Sequence, residues 1–265
     1  MMASTPITVR REASAPESQT LRRFAIMRRL ALLSAPAMLL LIIASGARAQ
    51  EDPAIPAFKS VDSMEARVQG CVTCHGQSGQ GTSNQYFPRI AGKPAAYLYN
   101  QLLAFRDGKR VYPPMNYLVA YLPDSYLQEI AEHFAKQRPA FEPKQPTTVA
   151  ESVVSRGATI AIAGDASKQV PACITCHGPG LTGMEPGIPG LVGLHPSYIV
   201  AQLTRWRTGN RKAAQPDCMK RIADRLSEAE VHAVAAWLAT QDPPRDPSPA
   251  SSNLQRMPLS CGSQM

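Results

Sequence analysis

Two pentapeptides carry the chemistry of this chain. Residues 71–75 read Cys-Val-Thr-Cys-His and residues 173–177 read Cys-Ile-Thr-Cys-His, so the C-x-x-C-H pattern occurs twice. In this pattern two thiols bond covalently to a haem and the adjacent histidine ligates its iron. The sequence therefore predicts two covalently attached haem c groups. The expected attachment residues are Cys71, Cys74, Cys173 and Cys176, and the expected iron ligands are His75 and His177.

A single zinc site is the alternative reading of four cysteines arranged as two Cys-x-x-Cys pairs. In a zinc ribbon the two pairs usually lie about 15 to 20 residues apart. Here the pairs are 102 residues apart, and each is followed at once by a histidine. The spacing and the added histidine favour haem over zinc.

Function depends on the sixth iron ligand, for which Met115 and Met219 are the candidates. Met115 follows His75 by 40 residues, and Met219 follows His177 by 42 residues at the matching place of a repeat. Pro113 and Pro114 predict an extended loop that presents Met115. An iron bound by both histidine and methionine has no open position for substrate, and a thioether raises its reduction potential. We therefore expect an electron carrier and not an enzyme.

The second half of the chain repeats the first, which decides the expected architecture. Tyr97, Gln101, Phe105 and Arg110 recur 101 residues later as Tyr198, Gln202, Trp206 and Arg211. In each half the apolar spacing predicts a helix that ends in the haem motif, a middle helix that ends near Gly108 or Gly209, and a last helix. Asp124 is the expected cap of one last helix, and Ser227 with Glu230 forms a capping box for the other. No alternating strand pattern appears, so the fold class is all-α.

The chain divides into five segments by composition. After Arg28-Arg29 an apolar run leads to Ala47-Arg48-Ala49, which is typical of a secretory signal cleaved after Ala49. Export to the periplasm follows, with an uncleaved membrane anchor as the alternative. Three prolines between the halves predict an extended linker. The expected segments are a signal peptide at 1–49, haem domains at 50–137 and 151–241, a linker at 138–150, and a Pro/Ser-rich tail at 242–265.

Charge argues against a nucleic-acid partner. Residues 1–49 hold seven arginines and two glutamates, so the remaining 21 basic and 18 acidic residues keep only +3 of the formal +8. No basic run with interleaved aromatic residues occurs. We therefore expect no nucleic acid among the partners.

From about residue 60 to 241 the chain resembles the two-haem class I c-type cytochromes of the cytochrome c4 kind. The likeness lies in both haem motifs, in the repeated Tyr-x3-Gln-Leu-x2-Phe/Trp-Arg-x-Gly-x-Arg block, and in the two methionines placed seven residues before Leu122 and Leu226. The resemblance implies two tandem cytochrome c domains related by a pseudo-twofold, each wrapping one covalent haem. It also implies that the backbone carbonyls of Pro88 and Pro189 accept hydrogen bonds from the iron-binding histidines.

The resemblance further implies a periplasmic carrier of single electrons, soluble or loosely associated with the membrane. Its expected donor is a quinol–cytochrome c reductase or a dehydrogenase, and its expected acceptor is a terminal oxidase. Arg110 and Arg211 have two readings: they pair with haem propionates, or they are exposed arginines at helix ends.

The chain departs from this family at Cys218, which directly precedes Met219, and at a tail that contains Cys261. These are the two cysteines left over from the haem motifs, in a compartment where disulfides persist. We predict a Cys218–Cys261 disulfide that pins the tail across the second methionine segment. Two other functions stay open: a sulfur-oxidising haem enzyme of the thiosulfate type with Cys218 as iron ligand, and a dedicated cytochrome subunit of a larger oxidoreductase.

Overall fold

Two helical halves follow one another along the chain. The computed structural model describes residues 60–83, 87–142, 148–252 and 257–264. The predicted signal segment, residues 1–49, lies outside these described residues. Within the described ranges, no helix is both long enough and apolar enough to cross a membrane.

The first half contains five helices among its described residues. They are α1 (Met64–Arg67), α2 (Gln69–His75), α3 (Ala95–Arg106), α4 (Pro113–Val119) and α5 (Asp124–Lys136). Helix α2 contains the whole first haem motif. Helix α3 packs against α5, whose predicted apolar stripe is buried at Leu127, Ile130 and Phe134. The predicted cap at Asp124 is wrong: Pro123 is the N-cap, and the Asp124 carboxylate instead accepts a 2.6 Å bond from the Arg106 guanidinium.

The second half repeats this plan with additions. Its helices are α6 (Glu151–Ala163), α7 (Cys173–His177), α8 (Pro196–Arg207), α9 (Cys218–Arg225) and α10 (Glu228–Ala239), with 3₁₀ turns at Ala166–Lys168 and Gly262–Gln264. Strands β1 (Gly183–Met184) and β2 (Ile188–Pro189) form an antiparallel ribbon. Two residues per strand are too few to produce a period-2 pattern, so the sequence did not reveal the ribbon. The capping box of Ser227 and Glu230 at the start of α10 is confirmed.

A close helix crossing gives the second half a larger core than the first. Helices α6 and α10 cross at Gly157, where an added Cβ would overlap the backbone carbonyl of Ala233. The crossing brings Ile160 and Ala161 against Val234 and Leu238, all of which are buried. In the described part of the first half, α1 and α2 are only four and seven residues long, and no pair of long terminal helices crosses there. The predicted all-α fold with two repeated domains is confirmed, but the second copy has the larger buried core.

The two halves meet through a reciprocal backbone bridge. Arg110 and Arg211 pair as an isolated antiparallel β-bridge. The amide of Val111 donates to the carbonyl of Asn210, and the amide of Lys212 donates to the carbonyl of Lys109, both at 2.8 Å. Because each half contributes the equivalent segment, the contact agrees with the pseudo-twofold that the resemblance implies.

The first residues of the predicted linker are held between the halves. The buried guanidinium of Arg89 donates to the backbone carbonyls of Pro139 and Ala140, at 2.6 and 2.9 Å. Arg89 also stacks on the ring of Phe141, which packs against the core of the second half. The described residues of this segment contain no helix, as the three prolines predict, yet residues 139–141 contact both halves.

Candidate haem sites

Each half surrounds one cavity lined by its own predicted haem residues. The first cavity encloses about 550 Å³ and is lined by Cys71, Cys74, His75 and Met115. The second encloses about 160 Å³ and is lined by Cys173, Cys176, His177 and Met219. The four thiols are thus divided between two cavities, which is unsuitable for the single four-cysteine zinc site considered above.

The histidines are oriented by backbone carbonyls at equivalent places. His75 Nδ1 lies 2.9 Å from the carbonyl oxygen of Pro88, and His177 Nδ1 lies 2.7 Å from that of Pro189. A carbonyl only accepts, so Nδ1 carries the proton and Nε2 keeps a lone pair for a metal. Burial lowers the pKa of His75 and lowers that of His177 to about 4. Both imidazoles are therefore neutral at pH 7, the form that binds iron.

The motif cysteines are free thiols in apolar surroundings. Burial, with a smaller contribution from the neighbouring Cys74, raises the pKa of Cys71 to about 11. Burial likewise raises the pKa of Cys173 to about 11, with Cys176 adding to it, and raises that of Cys176. Thiols kept protonated at neutral pH are weak nucleophiles.

Met115 lies in a helix and not in the extended loop predicted for it. Pro113 and Pro114 occupy the first turn of α4, where a missing amide hydrogen costs nothing. Asn116 then ties this helix to the end of α3: its amide donates to the carbonyls of Phe105 and Arg110, and its oxygen accepts from the Tyr112 amide. The sequence analysis did not identify Asn116, although an asparagine next to the methionine was a signal for local backbone bonding.

Met219 lies at the start of α9, which is anchored by a buried aspartate and not by an asparagine. The Asp217 carboxylate caps this helix through the Lys220 amide at 3.0 Å and also accepts from the Ala213 amide at 2.8 Å. Asp217 is buried. The methionines therefore share their place in the repeat, but they are anchored by unrelated side chains.

Arg110 and Arg211 are buried at the boundary between the halves, so the alternative of exposed helix-end arginines is wrong. They are only 7% and 4% exposed. Arg110 donates to Gln101, Tyr198 and Gln202, while Arg211 donates to Gln202, Tyr97 and Gln101. The repeated tyrosines and glutamines thus form a reciprocal cluster. Among the described residues, no carboxylate forms an ion pair with either guanidinium.

Five side chains belong to both cavities. They are Lys93, Tyr97, Gln101, Tyr198 and Gln202. One layer of side chains therefore separates the two sites. Of these five, the sequence repeat identified the tyrosines and glutamines as repeated residues, and it did not identify Lys93.

The second cavity also contains a polar atom that lacks a partner. The indole N–H of Trp206 is buried and makes no hydrogen bond to the described residues. The equivalent Phe105 in the first cavity has no such donor. A buried donor without an acceptor is costly, so this cavity suits a group that brings its own acceptor. Haem carries two carboxylates, and the imidazole, thioether and thiol donors around both cavities suit it as well.

The tail closes over the second site. Cys218 and Cys261 form a disulfide, with Cα atoms 5.2 Å apart, as the sequence predicted. Leu259, Cys261 and Ser263 line the second cavity. Ala250 of the tail is also bonded to the second half. Its amide donates to the carbonyl of Gly183, and its carbonyl accepts from the amide of Glu185, both at 2.9 Å. Because its sulfur is bonded to Cys261, Cys218 is not available as an iron ligand, which contradicts that part of the enzyme alternative.

The curated proteins that resemble this chain include di-haem cytochromes and electron acceptors. The chain is 37% identical over 182 residues to the thiosulfate dehydrogenase electron acceptor of Thiomonas intermedia, covering 69% of this chain and 82% of that protein. It is 32% identical over 176 residues to cytochrome c4 of Pseudomonas aeruginosa, covering 66% of this chain and 85% of that protein. No family model matches the chain.

Solved structures agree with these relatives. Reduced recombinant cytochrome c4 from Pseudomonas stutzeri superposes with a TM-score of 0.59 at 28% identity, covering 67% of this chain and 96% of that one. The thiosulfate dehydrogenase TsdBA of Marichromatium purpuratum superposes with a TM-score of 0.60 at 31% identity. The match covers 70% of this chain but only 40% of that longer chain. The chain therefore belongs to the cytochrome c4 family of di-haem class I c-type cytochromes, and it is an electron-transfer protein.

Proposed function

We propose that the protein carries two haem c groups, attached through Cys71 and Cys74 in the first half and through Cys173 and Cys176 in the second. Support comes from the division of these thiols between two apolar cavities and from their free state. When bound, haem supplies one-electron chemistry at its iron. The chain's own residues bind the group, orient its ligands and keep water away.

The proposed iron ligands are His75 with Met115 and His177 with Met219. Each pair lines one cavity, and each histidine keeps Nε2 free because Nδ1 is bonded to a proline carbonyl. Pro88 and Pro189 thereby set the direction of the imidazole and increase its basicity toward a metal. With both axial positions taken, the protein acts as a carrier and not as an enzyme.

Arg110 and Arg211 are proposed to pair with haem propionates. Both guanidinium groups are buried, both line a cavity, and their bonds within the described residues go only to neutral groups. A buried cation without an anion is unfavourable, and a planar guanidinium suits a carboxylate. Propionates between the halves would balance this charge.

The observation that carries the proposed function is the layer of side chains shared by the two cavities. Lys93, Tyr97, Gln101, Tyr198 and Gln202 line both sites, so two redox centres would lie close enough to exchange electrons within one molecule. We propose that the mature chain works in the periplasm as two domains, 50–137 and 151–241, joined by a linker at 138–150 and followed by the tail at 242–265.

Among redox partners we propose a thiosulfate dehydrogenase as the electron donor. The Thiomonas relative is named for this role, and the TsdBA structure contains a region similar to this chain. A terminal oxidase is the proposed acceptor, and a quinol–cytochrome c reductase is the alternative donor.

The test is to produce the mature chain with the c-type cytochrome maturation machinery. Mass spectrometry is expected to show two haems, and the oxidised protein is expected to show the methionine–iron absorbance band of two centres. Stopped-flow mixing with a thiosulfate dehydrogenase and thiosulfate is expected to reduce both centres, whereas thiosulfate alone is expected to reduce neither. A haem-free product, or rapid carbon monoxide binding at both reduced centres, would contradict the proposal.

A further inference from the structure

Lys93 is a buried lysine of the first half that reaches the second site. It directly precedes Pro94, the N-cap of α3, and is 8% exposed. Its ammonium donates to the carbonyl of Gly190 at 2.7 Å. Gly190 directly follows Pro189, whose carbonyl orients His177. The Lys93 side chain therefore links one half to the backbone that holds the histidine of the other half.

The ammonium of Lys93 is short of partners. It has three N–H donors, but the carbonyl of Gly190 is its one acceptor among the described residues. The charged neighbour that acts on it is another cation, Arg89. Burial, with the charge of Arg89 adding to it, lowers the pKa of Lys93 to about 7. A buried ammonium in this position needs an anion to remain charged.

The two cavities supply the place for such an anion. Lys93 lines both of them, on the same boundary as Arg110 and Arg211. Arg110 and Arg211 are equivalent residues of the two halves, and one of them lines each cavity. Lys93 has no such equivalent, because the repeat places the buried, uncharged Leu194 at its counterpart. This cation therefore comes from the first half alone, and its ammonium is bonded to the backbone of the second half.

The ammonium of Lys93 lies close to the second site: it bonds to the carbonyl next to the one that orients His177, and its side chain lines the second cavity. A positive charge at this place disfavours the extra positive charge of an oxidised iron there.

We propose that Lys93 is a positioning and charge-setting residue of the second haem site, where its ammonium pairs with a haem carboxylate and raises the reduction potential of the second centre relative to the first. This rests on the proposed function, because it requires haem at both sites. It assigns the difference between the two potentials to one side chain contributed by the other half.

The test is a spectroelectrochemical titration of the two-haem protein and of K93M, K93Q and K93R. Met219→His, which lowers the potential of the second haem through its ligand, identifies that haem's wave. In K93M and K93Q the equilibrium constant for reducing the second haem is expected to fall about tenfold, a shift of 59 mV for one electron. K93R keeps the charge and is expected to keep the potential. The exposed-lysine variant K136Q is the control and is expected to leave both waves unchanged.

Haem count and the methionine–iron band are measured on every variant, so loss of folding is recognised separately. The proposal is overturned if K93M and K93Q, with both haems intact, leave the second wave in place, shift both waves equally, or shift no more than K93R does. Each of these results would leave two haems with methionine ligands and would therefore not contradict the proposed function. Loss of haem from the unaltered protein would instead contradict the proposed function itself.

Discussion

The two halves offer the same set of donor side chains inside different protein surroundings. The first cavity is the larger of the two, and Tyr117 on α4 and Tyr121 just after it are 83% and 94% exposed. The second cavity is lined in part by the tail, and Lys220 and Arg221 follow Met219 on α9. The repeat thus preserves the positions of the candidate ligands, while core depth, surface and charge change around them. The second site therefore has an additional cover, the tail, that the repeat does not supply to the first.

The comparison first predicts that the two sites load haem independently. Replacing Cys173 and Cys176 with alanine should reduce the haem content from two to one, because each cavity has its own thiols. Mass spectrometry and haem stain of the purified chain measure this count. The matched control changes Cys71 and Cys74 to alanine and should leave the other haem. Loss of both haems in either variant would show that the sites form one unit.

The disulfide should stabilise the second half alone. Cys261→Ser opens a link between residues 43 apart, and loop-closure entropy gives an upper loss of about 4 kcal/mol in the free energy of unfolding. We expect the Met219 band to disappear at lower denaturant concentration than in the unaltered chain. The Met115 band should be unchanged, because the disulfide joins the tail to α9 of the second half. Equal loss of both bands would contradict this.

Asn116 and Asp217, which anchor the two methionine helices, should each affect only their own centre. Asn116→Ala removes three hydrogen bonds around α4 and should cost about 2 kcal/mol, since it leaves backbone groups without partners. The methionine band of the first centre should then be lost at lower temperature. Asp217→Ala is the matched variant and should act only on the second centre. A variant that weakens the opposite centre more than its own would contradict the assignment of one anchor to each methionine.

Mild acid should weaken the second half through the ion pairs at α10. Hydrogen bonds from Lys168, opposed by burial, and then from Arg156 lower the pKa of Glu230 from 4.5 to about 2. Because the folded-state pKa is depressed, this stabilisation is present above about pH 4.5 and is lost as the pH falls toward 2. The effect should be the smallest of the four, since both cations keep contact with solvent.

Thermal unfolding of the unaltered chain and of Glu230→Gln at pH 7 and pH 3.5 measures this dependence. The unaltered second half should lose stability between the two values, and the variant should lose less. An equal loss of stability in both proteins would show that Glu230 does not cause the pH dependence.

Much of the site follows from local patterns, and parts of the fold do not. Haem motifs, methionine spacing and apolar stripes act over a few residues, so the chain itself displays them. Helix α4 was expected as a loop because two prolines favour extended backbone, yet proline also suits the first turn of a helix. The β1–β2 ribbon and the split into α1 and α2 are too short to leave a periodic signal.

From the amino-acid order alone one can predict which side chains act as haem donors, predict two sites, and identify which cysteines remain to form the disulfide. This is possible because covalent attachment and iron ligation require particular residue types at short, fixed spacing. The burial of Arg110 and Arg211 in one reciprocal cluster, and the bond from Lys93 to the other half, become visible only in the three-dimensional structure. These properties depend on residues about a hundred positions apart coming together, and burial and electrostatic fields arise only from that packing.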